Sequence, residues 1–228
     1  MIVGGRQLIY IGTSGWLYPW NSGKSLDWYI KNTGFNAVEL NASFYRVPSP
    51  EQVEKWRNYE VTWAIKVNRR ITHVKRLKGV RGEVEKFVEL FKPLNPRFYL
   101  FQLPPNFHKT NENVQRVNEV CETLGDRAAV EFRSVEWFKG IPDVKCVVVS
   151  IDSPIGNYYF NSNGIIYLRM HGRDNWYFYE YSANELKEVA EKLVALNARD
   201  IFVFFNNDLW MLENGKLMKE ILLNSQSP

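Results

Sequence analysis

Eight short apolar runs punctuate the chain, at residues 8–11, 37–40, 62–67, 98–101, 128–132, 146–149, 165–168 and 201–205. They are rich in Val, Ile, Phe and Tyr, which suit a pleated, half-buried surface, so each run predicts a strand. Most are nearly continuous in apolar character rather than alternating. Strands covered on both faces read this way, which points to a parallel sheet. Helical signals lie between them. Ser49-Pro50-Glu51-Gln52 offers an N-cap serine, a proline at the first helical position and a glutamine in the capping-box place. Val84, Phe87, Val88 and Phe91 keep helical spacing, as do Val114, Val117, Val120 and Leu124, which Gly125 follows as a stop. Ser182 and Glu185 form a second capping box ahead of Leu186, Val189, Ala190, Leu193 and Val194. Further helices are expected near residues 26–32, before Gly34, and at 217–223.

Strand alternating with helix, eight times, predicts an α/β chain. The expected fold is a single (β/α)8 TIM-barrel-like domain of parallel strands over residues 1–228. An open doubly wound sheet is the runner-up and usually has fewer strands. Two connections fit poorly. Residues 134–140 allow only a short helix. Residues 152–164, with Pro154, Gly156 and Gly164, predict a loop in place of the sixth helix.

Composition narrows the class. With 228 residues, 45% hydrophobic and 24% charged, the chain reads as globular, which excludes a disordered or collagenous protein. The net charge of +4 permits a nucleic-acid partner without arguing for one. The basic run from Lys66 through Arg69, Arg70, Lys75, Arg76 and Lys78 to Arg81 reads as a solvated face. Cys121 and Cys146 lack metal-type spacing, and the sequence leaves open whether they pair. Cys121 falls on the apolar face of a helix and reads as core packing. Sparse cysteine suggests a reducing compartment. Residues 1–8 do not resemble a signal peptide, and no apolar stretch is long enough for a membrane span. The expected location is cytoplasmic, with no membrane and no partner protein implied.

In a barrel of this kind the site lies at the C-terminal ends of the strands. All eight apolar runs end in polar or ionisable groups. The first reaches Ser14, the second Glu39, Asn41, Tyr45 and Arg46, the third Lys66 and then Asn68 and His73. The fourth ends at Gln102, the fifth at Glu131 and Arg133, and the sixth at Asp152. Arg169 and His171 close the seventh, Asn206 and Asn207 the eighth. Helix caps account for some of the small polar residues. They do not account for Glu39, Lys66, Glu131, Arg133 and Arg169, because buried charge is costly unless it is paired or used.

These residues carry a family resemblance. Gly12-Thr13-Ser14-Gly15-Trp16, Val38-Glu39-Leu40-Asn41 with Phe44-Tyr45-Arg46, and Lys66 with Thr72-His73 resemble the YecE-like family. So do Gln102-Leu103-Pro104-Pro105, Glu131-Phe132-Arg133, Arg169-Met170-His171-Gly172 and Phe204-Phe205-Asn206-Asn207. The match spans nearly the whole chain, although the segment after Trp16 is shorter than is usual there. The resemblance implies a TIM-barrel-like fold and carries no established activity.

Chemistry therefore has to come from the residues. The leading expectation is a hydrolase, phosphoesterase or nuclease-like, acting on a phosphate-bearing substrate. Glu39, Glu131, Asp152 and His171 would hold a divalent metal ion, and Lys66, Arg133 and Arg169 would clamp the phosphate. The alternative is metal-free acid–base chemistry, with Glu131 and His171 exchanging protons and Lys66 stabilising charge. In either case Glu131, His171, Asp152 and Lys66 are the catalytic candidates. Ser14, Glu39, Asn41, Tyr45, Arg46, Gln102, Arg133, Arg169, Asn206 and Asn207 are the substrate-binding ones. A third reading is a non-catalytic nucleic-acid or small-anion binder, in which Trp16, Tyr18, Tyr45, Trp176 and Tyr177 stack beside cations. Ser22-Gly23-Lys24-Ser25 is not a phosphate loop, because Tyr18 stands where its first glycine belongs.

Overall fold

The computed structural model describes residues 7–226 except 141 and 143. Residues 1–6, most of the stretch judged not to be a signal peptide, lie outside the described residues. All eight expected strands form. In chain order the elements are β1 (Leu8–Thr13), α1 (Leu26–Thr33), β2 (Ala37–Leu40), α2 (Pro50–Trp56), β3 (Thr62–Lys66), α3 (Arg81–Phe91), β4 (Phe98–Gln102) and α4 (Asn111–Leu124). Then come β5 (Ala128–Glu131), β6 (Val147–Ser153), β7 (Gly156–Tyr158), β8 (Ile165–Met170), α5 (Ala183–Ala195), β9 (Asp200–Phe205) and α6 (Met211–Asn224). The strands hydrogen-bond in the order β1-β9-β8-β6-β5-β4-β3-β2, with β7 attached to β6 alone. The fold is (β/α)8 TIM-barrel-like.

The expected caps Ser49 and Ser182 are present, Ser25 and Thr110 cap two further helices, and among the described residues Gln52 does not close the box expected with Ser49. Ser25, Ser49, Thr110 and Ser182 each accept a backbone N–H of the helix they open, and Ser182 with Glu185 completes the reciprocal box. Gly34 ends α1 in the left-handed region, φ 72°. Residues 134–140 hold only a 3-10 turn, Val135–Phe138. The connection after β6 lacks a helix, as expected, but it is not all loop. It doubles back as β7, antiparallel to β6, pairing Ile151 with Tyr158 and Ser153 with Gly156. Gly156 makes that turn at φ 132°, and a Cβ there would stand 2.6 Å from the Tyr158 ring.

The chain forms two compact units, Met1–Val38 with Val149–Pro228, and Glu39–Val148. In the first, β6, β8, β9 and β1 are consecutive parallel strands. Ile151, Arg169, Phe204 and Gly12 share one row, and Asp152, Met170, Phe205 and Thr13 the next. Successive strand residues point to opposite faces, so Arg169 and Asp152 face opposite sides of the sheet. Leu186, Val189, Leu193, Met218 and Leu222 of α5 and α6 are fully buried. In the second unit Lys66 stands level with Leu100, and Gln102 with Glu131. The same period of two puts Lys66, Gln102 and Glu131 on one face. Val84, Phe91, Val117 and Val120 of α3 and α4 are buried there. Cys121 is buried, as read, but it is also bonded: it forms a disulfide with Cys146, Cα atoms 5.0 Å apart, tying α4 to the start of β6. No helix among the described residues is long and apolar enough to cross a membrane.

Candidate functional site

Within Glu39–Val148, polar side chains gather where β3, β4 and β5 end. Glu131 is fully buried and its carboxylate is ion-paired with the Arg133 guanidinium. Beside it in register, Gln102 donates to the Leu103 carbonyl at 2.7 Å. The Lys66 ammonium lies 4.3 Å from the centre of the Phe44 ring. His73 meets that same ring edge-on, 4.9 Å between centroids, and its Nδ1 hydrogen-bonds the Thr72 hydroxyl at 2.8 Å. The local backbone is fixed by side chains. Ser43 donates to the Lys66 carbonyl at 2.6 Å, and Asn68 donates to the Ser43 and Phe44 carbonyls at 3.0 and 3.1 Å.

His73 sits in a π-helical turn, Arg70–Val74, and Arg76 and Leu77 just beyond it both take positive φ, 50° and 60°. Non-glycine residues rarely adopt that conformation, and such strain gathers at functional sites. Burial, then the positive charges of Lys66, Arg69, Arg133 and Arg76, push the His73 pKa down to about 4. The imidazole is therefore neutral at pH 7. Between its ordinary value near 6.5 and about 4, the unfolded chain binds a proton at this residue that the folded chain does not. Stability contributed at His73 is thus lost as pH falls through that window. His73→Gln should make the urea midpoint less sensitive to pH between 7 and 4.5. Equal pH slopes for the two proteins would refute this. Because His73 is half-exposed, solvent screening keeps the effect modest.

The other expected residues of this unit are placed as follows. Glu39 is fully buried in β2. Asn41 follows it, its amide oxygen buried without a partner among the described residues. Tyr45 is 75% exposed and Arg46 is exposed, so both lie at the surface. Much of the basic run is a solvated face, as read from the sequence: Arg70 and Lys75 pair with Glu83, and Arg81 with Glu85.

The unit of Met1–Val38 and Val149–Pro228 holds the remaining candidates. Arg169 and His171 are fully buried at the end of β8, two residues apart and so on one face. Asn206 points its amide nitrogen at His171 Nδ1, 3.1 Å away. An amide nitrogen only donates, so Nδ1 accepts and the imidazole carries its proton on Nε2. Trp176 and Tyr177 flank the same imidazole, at 5.3 and 5.7 Å between centroids. Ser14 is buried after β1 and its backbone N–H donates to the Phe205 carbonyl at 2.9 Å.

Asp152 and Asn207 are engaged by neighbouring side chains and backbone. Asp152 is on the opposite face from Arg169, and its carboxylate is saturated. Arg173 donates to both oxygens at 3.0 and 2.9 Å, Tyr159 to Oδ2 at 2.7 Å and Tyr181 to Oδ1 at 2.9 Å. Burial, reinforced by the Asp152 charge, raises both tyrosine hydroxyls, so they stay protonated donors. Hydrogen bonding to Asp152 raises Arg173 further. Asp152, expected from sequence as a catalytic carboxylate, is thus held by three donors in a network of its own. Asn207 also turns inward. It donates to the Tyr179 carbonyl and to the Asn214 amide oxygen, both at 2.8 Å, which ties a loop to α6, while its own amide oxygen is buried without a partner among the described residues.

Residues 10–219 match the family described as "Protein of unknown function DUF72". The chain belongs to the DUF72 family. It is 28% identical to UPF0759 protein YunF of Bacillus subtilis, an alignment covering 94% of this chain and 95% of the relative. It is 35% identical to UPF0759 protein YecE of Escherichia coli over 108 residues, 44% of this chain and 39% of that protein. A crystal structure of a DUF72 family protein from Thermotoga maritima superposes with TM-score 0.79 at 25% identity, covering 97% of this chain and all of that one. A DUF72 family protein from Enterococcus faecalis gives 0.79 at 20% identity, covering 95% and 96%. A D-tagatose 3-epimerase-like protein shares the fold at TM-score 0.58 and 15% identity, covering 96% and 100%.

The metal set expected from sequence is Glu39, Glu131, Asp152 and His171, and all four are fully buried in this DUF72 chain. Glu131 is engaged by the Arg133 guanidinium and Asp152 by that of Arg173. Among the described residues no group of three or more His, Cys, Asp or Glu is placed to hold a metal ion. Sequence reasoning also passed over residues that matter. Nothing in the sequence gives His73 a role, and Arg69 and Arg76 belong to a basic run whose pattern predicts a solvated face. Arg173, Tyr159 and Tyr181 become visible only through the partner they share.

Proposed function

We propose that this DUF72 chain binds a small phosphate-bearing molecule at the ends of β3–β5 and hydrolyses it. Lys66 and Arg133 neutralise the phosphate, and Glu131 is the general base toward water. The observation that carries the reading is a cluster of cations around His73, where Lys66 and His73 meet the same Phe44 ring. Lys66, Arg69, Arg133 and Arg76 all act on one half-buried imidazole, and Glu131 is the carboxylate paired with Arg133. A neutral His73 adds no charge of its own but can donate or accept a hydrogen bond. The buried, unpartnered Asn41 oxygen would accept from a ligand hydroxyl.

Calorimetric titration with inorganic phosphate at low ionic strength tests this. Binding should be detectable, should weaken as salt is raised, and should drop about tenfold in Lys66→Met, as for loss of one charge-assisted contact. No heat at low salt, or an unchanged affinity in Lys66→Met, would remove the proposal.

A further inference from the structure

The loop that leaves β8 has a chemistry the phosphate reading does not use. Residues 171–181 carry Trp176, Tyr177, Phe178, Tyr179 and Tyr181 within six positions. The loop is tightly wound. Gly172 has φ 99°, and a Cβ there would stand 2.5 Å from the Asn175 carbonyl oxygen and 2.6 Å from Tyr179 Cβ. Tyr177 takes φ 68°, unusual for a bulky residue, while its N–H donates back to the His171 carbonyl at 2.8 Å. This strained turn holds the Tyr177 ring against the His171 edge at 81°. The ring is nevertheless 44% exposed. Beside it Phe178 is 53% exposed and rests edge-on against Trp210, 4.7 Å between centroids. Next to His171, Asn206 spends its amide nitrogen on Nδ1, and among the described residues nothing hydrogen-bonds its amide oxygen.

We propose that Trp176, Tyr177, His171 and Asn206 form a binding site for a sugar ring. The ring geometry selects that class. Trp176 and Tyr177 are inclined at 50° with centroids 5.7 Å apart, so they touch each other and leave no parallel slot to sandwich a flat base. A pyranose needs one exposed aromatic face for its C–H groups and neutral amide or imidazole groups for its hydroxyls. Tyr177 supplies the face. Asn206 Oδ1 accepts from a hydroxyl, and the amide nitrogen it spends on His171 fixes the imidazole that borders the site. The proposal lies wholly in the unit of Met1–Val38 and Val149–Pro228 and does not rest on phosphate binding in the other.

Saturation-transfer NMR on the full chain decides it, with D-glucose, D-galactose and D-ribose as probes and adenosine as the flat-ring comparison. Transfer to the ring C–H protons of at least one sugar is expected, stronger than to adenosine. Tyr177→Ala should weaken that sugar about tenfold, the scale of one aromatic contact, and Tyr177→Phe should retain it. Arg81→Ala, on the solvated face of α3, should leave it unchanged. Transfer to adenosine alone would overturn the sugar assignment in favour of a base. No transfer to any probe, or sugar binding indifferent to Tyr177→Ala, would overturn it outright.

Discussion

Asp152→Asn should lower the melting temperature by roughly 6–12 °C, the shift that about 3 kcal/mol produces in a chain of this size. The carboxylate accepts from three donors, Arg173, Tyr159 and Tyr181, while remaining fully buried. An asparagine has one acceptor oxygen and would turn an NH2 toward a guanidinium or a hydroxyl. Two donors would then face each other in a space closed to water, and an unmet buried donor carries its full desolvation cost. Local consequences follow as well. The Asp152 backbone carbonyl accepts the His171 N–H at 2.8 Å, and the Tyr181 hydroxyl accepts the Gly172 N–H at 2.8 Å. Arg173 also reaches Glu185 and Glu188 on α5, at 3.6 and 3.7 Å. Asp152 therefore anchors the strand end that carries His171 and the aromatic loop beyond it. Thermal melts followed by circular dichroism measure the effect. A shift below 2 °C would mean that the network is not what holds this region.

Glu131→Gln should reduce hydrolysis of a phosphate ester by about 10²-fold or more, the usual contribution of a general base. The same change removes a negative charge beside the proposed anion, so affinity for inorganic phosphate should hold or rise. That opposed pair of outcomes separates a base from a binding group. It also separates both from a general loss of structure, which would lower turnover and affinity together. Gln keeps the shape of the side chain and can still accept from Arg133, which limits the folding penalty. Turnover unchanged in Glu131→Gln would count against Glu131 as the base while leaving phosphate binding to be judged by Lys66→Met.

The charged strand ends show how far sequence reasoning reaches. Glu39, Glu131, Arg169 and His171 interrupt or end apolar runs, and all four are fully buried. Their burial is legible because a charge inside such a run has nowhere else to go. Pairing is less legible. Glu131 with Arg133 is a local contact, two residues apart, and could be read from the chain. Asp152 with Arg173, Tyr159 and Tyr181 joins a strand, a hairpin and a loop, and no periodicity marks it. His73 lies in a π-helical turn of five residues, too short for its period to show in the sequence.

By itself the sequence determined the number, order and type of the main elements, and with them the TIM-barrel-like fold. Strand propensity, capping residues and helical spacing are local properties, written within a few residues of where they act. It also determined that the strand ends would be polar. Only the tertiary structure decided which polar groups share a face. The strands of a parallel sheet covered on both sides are apolar throughout, so they lack the alternation that would tell one face from the other. Asp152 and Arg169 look alike in the sequence, each a charge at the end of an apolar run. The register that sets them on opposite faces comes from hydrogen bonds between β6 and β8. For the same reason the disulfide of Cys121 with Cys146 was open in the sequence and closed by the packing of α4 beside the start of β6.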